Sequence, residues 1–251
     1  METSPPTIDY ADARWPIRAD LSEAHNRYWA RLQHPGSWWT SAQRIDIARE
    51  VRAAWHCEHC RACAEALSPN AVKGEHEAVS SLPVAAVEAI HRITTDSSRL
   101  SRSWYEGLLE RGISEGQYVE LVGTVVSIVS IDSFAIALGI TERALPQPGV
   151  GEPDQYRPAT AGVDDAWVPM VDEDNSGTPE ADLWVANNTG NVVRALSLVP
   201  AEVRTLKELS GAHYLAMADV RKHGYNGGRS LSRTQMELVA GRTSALNACY
   251  Y

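Results

Sequence analysis

Three of the chain's four cysteines, Cys57, Cys60 and Cys63, fall in one short stretch, and the first two form the pair Cys57-Glu58-His59-Cys60. In a reducing compartment, cysteines so few and so clustered serve catalysis or metal binding rather than structural disulfides. The reactive form of a cysteine is its thiolate, so the chemistry turns on what lowers the thiol pKa. A Cys-x-x-Cys pair at the start of a helical turn brings its first sulfur to unpaired backbone N–H groups and to the positive end of the helix dipole. The i, i+3 spacing puts both sulfurs on one face, within reach of a disulfide. Such a pair can reduce a peroxide: one thiolate is oxidised to a sulfenic acid and the second thiol resolves it to a disulfide. The departing hydroxide needs a proton and the thiol needs a base. His59, between the cysteines, can change charge near neutral pH and is the candidate for that role.

Asp46 and Glu50 precede Cys57 by eleven and seven residues, nearly one face of an unbroken helix, and form either an acid/base stripe or a solvated charged face. An iron–sulfur reading of Cys57-x2-Cys60-x2-Cys63 fails at Leu67, which stands where the fourth cysteine ligand belongs. Zinc held with the help of His56 or His59 is disfavoured as well, because three ligands on one helix rarely close a tetrahedron. No metal and no organic cofactor are therefore expected, and Cys63 reads as a small buried residue.

The pair must be delivered by a helix. Thr40 or Ser41 caps one whose apolar face runs through Ile45, Ile47, Ala48, Val51, Ala54 and Trp55. The last stretch of the chain has the same design: Ser232 is an N-cap, Gln235 follows three residues later as in a capping box, and apolar residues at helical spacing lead to Cys249. Residues 40–59 align without a gap on residues 232–251 at a constant offset of 192, matching Gln43 with Gln235, Ala48 with Ala240, Ala53 with Ala245 and Cys57 with Cys249. The alignment predicts an internal repeat. A weaker third copy sets Glu120-Leu121-Val122 against Glu237-Leu238-Val239 and places Asp132 where Cys249 stands.

The rest of the chain reads as helices over about 20–32, 83–94, 101–111, 115–138, 192–198 and 201–217, with Gly112 and Gly139 as stops. The predicted organisation is an all-α helical bundle with an internal repeat. A tail and arm helix occupy 1–38, the first helical unit 39–145, a Pro- and Gly-rich linker or extended loop 146–180, and the second unit 181–251, which is incomplete at its C-terminal end. The N-terminus lacks a basic segment followed by an apolar one, so no signal peptide is expected and the cytoplasm is the default location. A net charge of −9 argues against nucleic acid and against anionic membranes as partners. Residues 119–140 are apolar enough to raise a membrane span, but Glu120 and Asp132 lie among them and favour a buried core helix.

The capped helix followed by Cys-x-x-Cys, the tandem copies, and Glu237 twelve residues before Cys249 resemble the alkylhydroperoxidase D-like / carboxymuconolactone decarboxylase superfamily, whose peroxidase members carry Glu-x11-Cys-x2-Cys-x3-His. Stretches around His91-Arg92-Ile93 and Asn191-Val192-Val193-Arg194 are also similar to peroxidase-related members. The resemblance implies an all-α bundle that assembles as a homo-oligomer, a trimer or hexamer. It implies thiol-dependent reduction of a hydroperoxide, with electrons from a dithiol or lipoyl-type reductant protein. Carried over residue by residue, it makes Glu237 the proton-relay carboxylate and Cys249 the first motif cysteine of the second copy. In the first copy it makes Cys57 and Cys60 the redox pair and matches His59 to a histidine found between the cysteines in some members. That copy departs from the pattern at Ile45, where the glutamate belongs, and at Ala64, where the histidine belongs.

In the second copy the next motif cysteine would fall just beyond Tyr251, a position that a UGA codon read as selenocysteine would fill; the expectation fails if the following codon is not UGA. Two other readings compete with the peroxidase: a non-catalytic helical protein for oligomerisation or binding, and a cofactor-free decarboxylase of the same superfamily.

Overall fold

The computed structural model describes residues 8–184, 189–247 and 249. The first residues of the expected tail, and Tyr250 and Tyr251 of the last stretch, lie outside the described residues. The described residues form helices α1 (Ala19–Leu32), α2 (Ser41–Ala54), α3 (Glu58–Glu65), α4 (Val84–Asp96), α5 (Arg102–Glu110), α6 (Glu115–Ala137), α7 (Asn191–Arg194), α8 (Pro200–His213), α9 (Met217–Val220) and α10 (Arg233–Leu246). The chain is a mostly helical bundle. Among the described residues one small sheet joins β1 (Ala161–Gly162) to β2 (Met170–Val171) in antiparallel fashion, within the stretch that composition marks as an extended loop.

Helix starts follow the capping chemistry. Thr40, Ser114 and Ser232 each accept a hydrogen bond from the backbone N–H three residues on, and the side-chain oxygens of Gln43, Gln117 and Gln235 each accept one from the cap backbone N–H. The stops at Gly112 and Gly139 use the left-handed region, with φ of 94° and 73°. Among the described residues α6 is the helix long and apolar enough to cross a membrane. It packs instead against α2, α4 and α8, with 61% of its most apolar window buried.

Tyr28, Trp29 and Leu32 of α1, Ile45, Ile47 and Val51 of α2, Ile90 of α4, Leu121, Ile128 and Ile131 of α6, and Val203 and Leu209 of α8 share one apolar core. Side chains from both sides of the 146–180 stretch thus pack in the same core. Trp55, placed on the apolar face of α2 by its spacing, is exposed because the helix ends at Ala54. In the segment before α1, Ile8 and Tyr10 are buried, and the Ile8 N–H donates to Asn26 Oδ1 at 2.7 Å.

Two buried acids of α6 are held by arginines of α2. Asp132 accepts a bidentate pair from Arg52, both contacts 2.8 Å, and Glu120 lies 3.3 Å from Arg44, which also lies 3.5 Å from Glu202 of α8. Bidentate arginine–carboxylate contacts fix geometry as well as charge. The acids that the third copy offers as relics of a site therefore join helices.

Helices α2 and α10 begin and end at matching positions of the 192-residue offset, but their surroundings differ. α2 buries eight of its residues; in α10 only Met236 is buried, while Leu238, Val239 and Leu246 face outward. For the third copy the caps and the Glu-Leu-Val triplets disagree by one residue, since Glu120 is the sixth residue after Ser114 and Glu237 the fifth after Ser232.

Candidate functional site

Helix α2 stops at Ala54, and Trp55 and His56 turn the chain so that Cys57 enters extended, with φ −68° and ψ 124°, as the N-cap of α3. The helix from Asp46 to Cys57 is therefore broken, and the sulfur of Cys57 lies at the start of a new one. Cys60 is one turn further on. Both are buried free thiols.

Two histidines from later in the chain converge on them. His91, on α4, puts Nδ1 3.2 Å from Cys60 Sγ. His76, in the loop before α4, puts Nδ1 3.3 Å from Cys60 Sγ and 3.7 Å from Cys57 Sγ. Each ring is held from behind by a carboxylate: His91 Nε2 lies 3.0 Å from Glu50 Oε2, and His76 Nε2 lies 3.0 Å from Glu88 Oε2. In the neutral imidazole these contacts fix the proton on Nε2 and aim the Nδ1 lone pair at the sulfurs. Cys57 Sγ, Cys60 Sγ and the two Nδ1 atoms all lie within 4.8 Å of one another, so this set of groups could hold a metal ion.

The carboxylates are themselves positioned. Glu50 Oε1 accepts the Val79 N–H at 2.9 Å and the Ser80 hydroxyl at 2.6 Å, which ties the loop carrying His76 to α2. Glu88 Oε1 accepts the Trp104 indole N–H at 3.1 Å. Gly74 lets the loop pass close to His59: its φ is +144°, and a Cβ there would lie 2.7 Å from His59 Nδ1.

Electrostatics divide the pair. Burial pushes the Cys57 thiol up, but the backbone N–H groups of Glu77 and Cys60 and the His76 side chain outweigh it and leave the thiol below its ordinary value. Burial, with Cys57 alongside, pushes Cys60 up to about 12. Burial opposes charge on His76, yet Glu88 and Cys57 raise its pKa; burial lowers that of His91 despite Glu50, with His76 acting in the same direction. Glu88 is lowered to about 2, because its bonds to His76 and Trp104 and the nearby positive charges overcome burial. The shifts thus run in opposite directions across the cluster: they favour the charged forms of Cys57 and His76 and the neutral forms of Cys60 and His91.

His59 does not join the pair directly. Its Nε2 lies 3.6 Å from Cys63 Sγ, and its ring centroid is 4.8 Å from that of His76. His59, Cys63, Glu88 and Arg92 line a polar cavity of about 390 Å³, so the cavity reaches the carboxylate behind His76. His56 is exposed, and Cys63 is buried as expected. Glu237 is exposed on α10, bonded to Tyr214 and Arg233, and Cys249 is exposed near the end of that helix with its N–H on Ser244 O at 3.0 Å. Asp46 pairs with Arg49 on the surface, whereas Glu50 belongs to the site.

Of the predicted site residues, Cys57 and Cys60 come together, His59 lies beside them, and Glu237 on α10 and Cys249 just past it are exposed. Glu50, which its spacing left open between a site and a solvated face, joins the cluster, and His76, Glu88 and His91 carried no predicted role there. The usable signal was the set of histidines and acids within forty residues downstream of the pair, but nothing local marks His76. The site and fold together define a helical protein with a buried, carboxylate-braced cysteine–histidine cluster. Comparison of the chain with protein-family models, with curated proteins and with solved structures gave no significant match.

Proposed function

We propose that the protein is a thiol-dependent peroxidase of the alkylhydroperoxidase D-like kind, using Cys57 and Cys60. The observation that carries the reading is the convergence of two carboxylate-braced histidines on a Cys-x-x-Cys pair. The likeness of the motif supports the family. The first copy lacks the motif glutamate at Ile45 and the motif histidine at Ala64, but His91 brings an imidazole to Cys60 and Glu50 a carboxylate to the far side of that ring.

In this reaction the Cys57 thiolate attacks an oxygen of ROOH, the S–O bond forms as the O–O bond breaks, and the leaving alkoxide takes a proton from His76. Cys60 gives its proton to His91, its sulfur attacks the Cys57 sulfenic acid, and water leaves as the disulfide forms. The net change is dithiol plus ROOH to disulfide plus ROH plus water. A dithiol donor, of the lipoyl class, returns both thiols by exchange. A reducing compartment such as the cytoplasm suits buried thiols kept free.

Turnover of hydroperoxide by a dithiol donor tests the reading. Cys57→Ser and Cys60→Ser should each abolish it, and His91→Gln should lower it by about 10²–10⁴-fold, as loss of a positioned acid or base does. Turnover indifferent to both serines would favour the decarboxylase class. No turnover and no disulfide under oxidation would favour a non-catalytic helical protein.

A further inference from the structure

The groups that surround the two sulfurs also describe a coordination site. A tetrahedral ion with Zn–S bonds of about 2.3 Å and Zn–N bonds of about 2.0–2.1 Å requires ligand-to-ligand edges of roughly 3.3–3.8 Å. Three of the four sulfur-to-nitrogen edges here are 3.2, 3.3 and 3.7 Å, and no edge of the four-atom set exceeds 4.8 Å. The ligands come from three separate places, the start of α3, the loop before α4, and α4 itself. This removes the difficulty of closing a tetrahedron from one helix.

The direction of each lone pair matters as much as its distance. Both imidazoles present Nδ1 to the centre, and both have Nε2 on a carboxylate oxygen at 3.0 Å. That arrangement fixes the tautomer, orients the ring and raises the basicity of a metal-ligating histidine. Glu50 and Glu88 therefore already occupy the outer-shell positions of a zinc site. The cluster has two thiolates to offer a dication, which makes the occupied centre neutral and suits its burial. Two sulfurs with two imidazoles in a tetrahedron favour Zn²⁺ over harder ions such as Mg²⁺ or Ca²⁺. With all four corners supplied by the protein, the centre is closed and would hold structure or reserve rather than activate water.

We propose that reduced Cys57 and Cys60, with His76 and His91, bind one Zn²⁺ ion, and that metal binding and disulfide formation exclude each other. The binding stands on the geometry alone; the exclusion rests on the redox reading given above. In the dithiol state the ion displaces the two shared protons. Turnover therefore requires the ion to leave first: Zn(dithiolate) plus two protons gives dithiol plus Zn²⁺, and dithiol plus ROOH then gives disulfide plus ROH plus water. Zinc thus shields the pair from adventitious oxidation and withholds it from turnover until the ion is removed.

The test uses Co²⁺ as a spectroscopic probe and Zn²⁺ as its competitor, on the 251-residue chain reduced and stripped of metal under anaerobic conditions. One equivalent of Co²⁺ should give thiolate-to-cobalt charge transfer and the strong visible bands of a tetrahedral S₂N₂ centre, bleached by one equivalent of Zn²⁺. Glu88→Gln, which keeps the size of the side chain, should weaken Co²⁺ binding by about 10–100-fold. His76→Ala and His91→Ala should each change the visible bands.

Absence of the bands in wild-type protein whose two thiols titrate as free would overturn the site, as would bands unchanged in both histidine variants. The exclusion is read by oxidising the chain first with hydroperoxide: the disulfide form should give no spectrum, and Zn²⁺ at saturation should stop turnover. Equal Co²⁺ binding by the disulfide form would refute it. Metal binding without turnover removes the peroxidase and leaves the site, while turnover by a metal-free chain with no cobalt spectrum does the reverse.

Discussion

The substitution Glu50→Gln isolates the group that ties α2 to both the loop and His91. Glu50 accepts three hydrogen bonds, from the Val79 N–H at 2.9 Å and the Ser80 hydroxyl at 2.6 Å on Oε1, and from His91 Nε2 at 3.0 Å on Oε2. A glutamine oxygen in the place of Oε1 keeps the first two. Its amide NH₂ then replaces Oε2 and confronts the His91 N–H, donor against donor, at a fully buried position. Losing a hydrogen bond to a charged acceptor costs about 1.5–3 kcal/mol. For a chain of this size each kcal/mol moves Tm by roughly 2–4 °C, so calorimetry should show a fall of about 3–12 °C. The imidazole has one escape: moving its proton to Nδ1 restores the bond to the amide but turns an N–H, instead of a lone pair, toward Cys60 Sγ. That outcome spares stability and is read by the ¹⁵N shifts of His91. A variant that keeps both the wild-type Tm and the Nε2–H tautomer would refute the account of Glu50 as the group that orients His91.

Gly74→Ala should destabilise by more than about 1 kcal/mol in urea unfolding, because the left-handed backbone strains alanine and its Cβ would lie 2.7 Å from His59. Burial, only partly offset by Arg44 and reinforced by Glu202, raises the pKa of Glu120 to about 7. Its folded-state value lies above the unfolded one. The resulting stabilisation is therefore complete below the unfolded value and is lost as pH rises through about 7, on the order of 3 kcal/mol in all. Unfolding measured at pH 5 and pH 8 should show that loss in the wild type and a smaller one in Glu120→Gln; equal losses would count against it. At matched positions of the repeat, Ala48→Leu should cost about 1–3 kcal/mol by overpacking, and Ala240→Leu on exposed α10 should stay within about 0.5 kcal/mol.

The parts of the fold that the sequence made legible are those governed by neighbours along the chain. The cap at Thr40, the capping box at Ser232, and the left-handed stops at Gly112 and Gly139 are decided within three or four residues, and each stands where the pattern put it. The cysteine pair at the start of a helix is a local feature of the same kind. His76 is the opposite case. It sits in a loop without periodicity and reaches the site because Val79 and Ser80 bond to Glu50, a contact across about thirty residues. Glu88 and His91 share a helix at i, i+3, which suggests a pair, yet each serves a different partner. The repeat alignment read Cys249 and Glu237 from local likeness alone. The alignment could not tell that α2 lies in the core while its counterpart α10 lies on the surface.

The arginines of α2 bear on how the cysteine pair can move. Arg44 and Arg52 grip α6 near opposite ends of α2, at Glu120 and Asp132. A slide of one helical turn, about 5.4 Å, would part both buried contacts at once. Helix α2 is therefore a fixed rail, and Glu50 is bolted to it. If the sulfurs rearrange, as the proposed disulfide and metal-bound states require, the change would fall on α3 and on the loop that brings His76, a hinged jaw against a stationary bar.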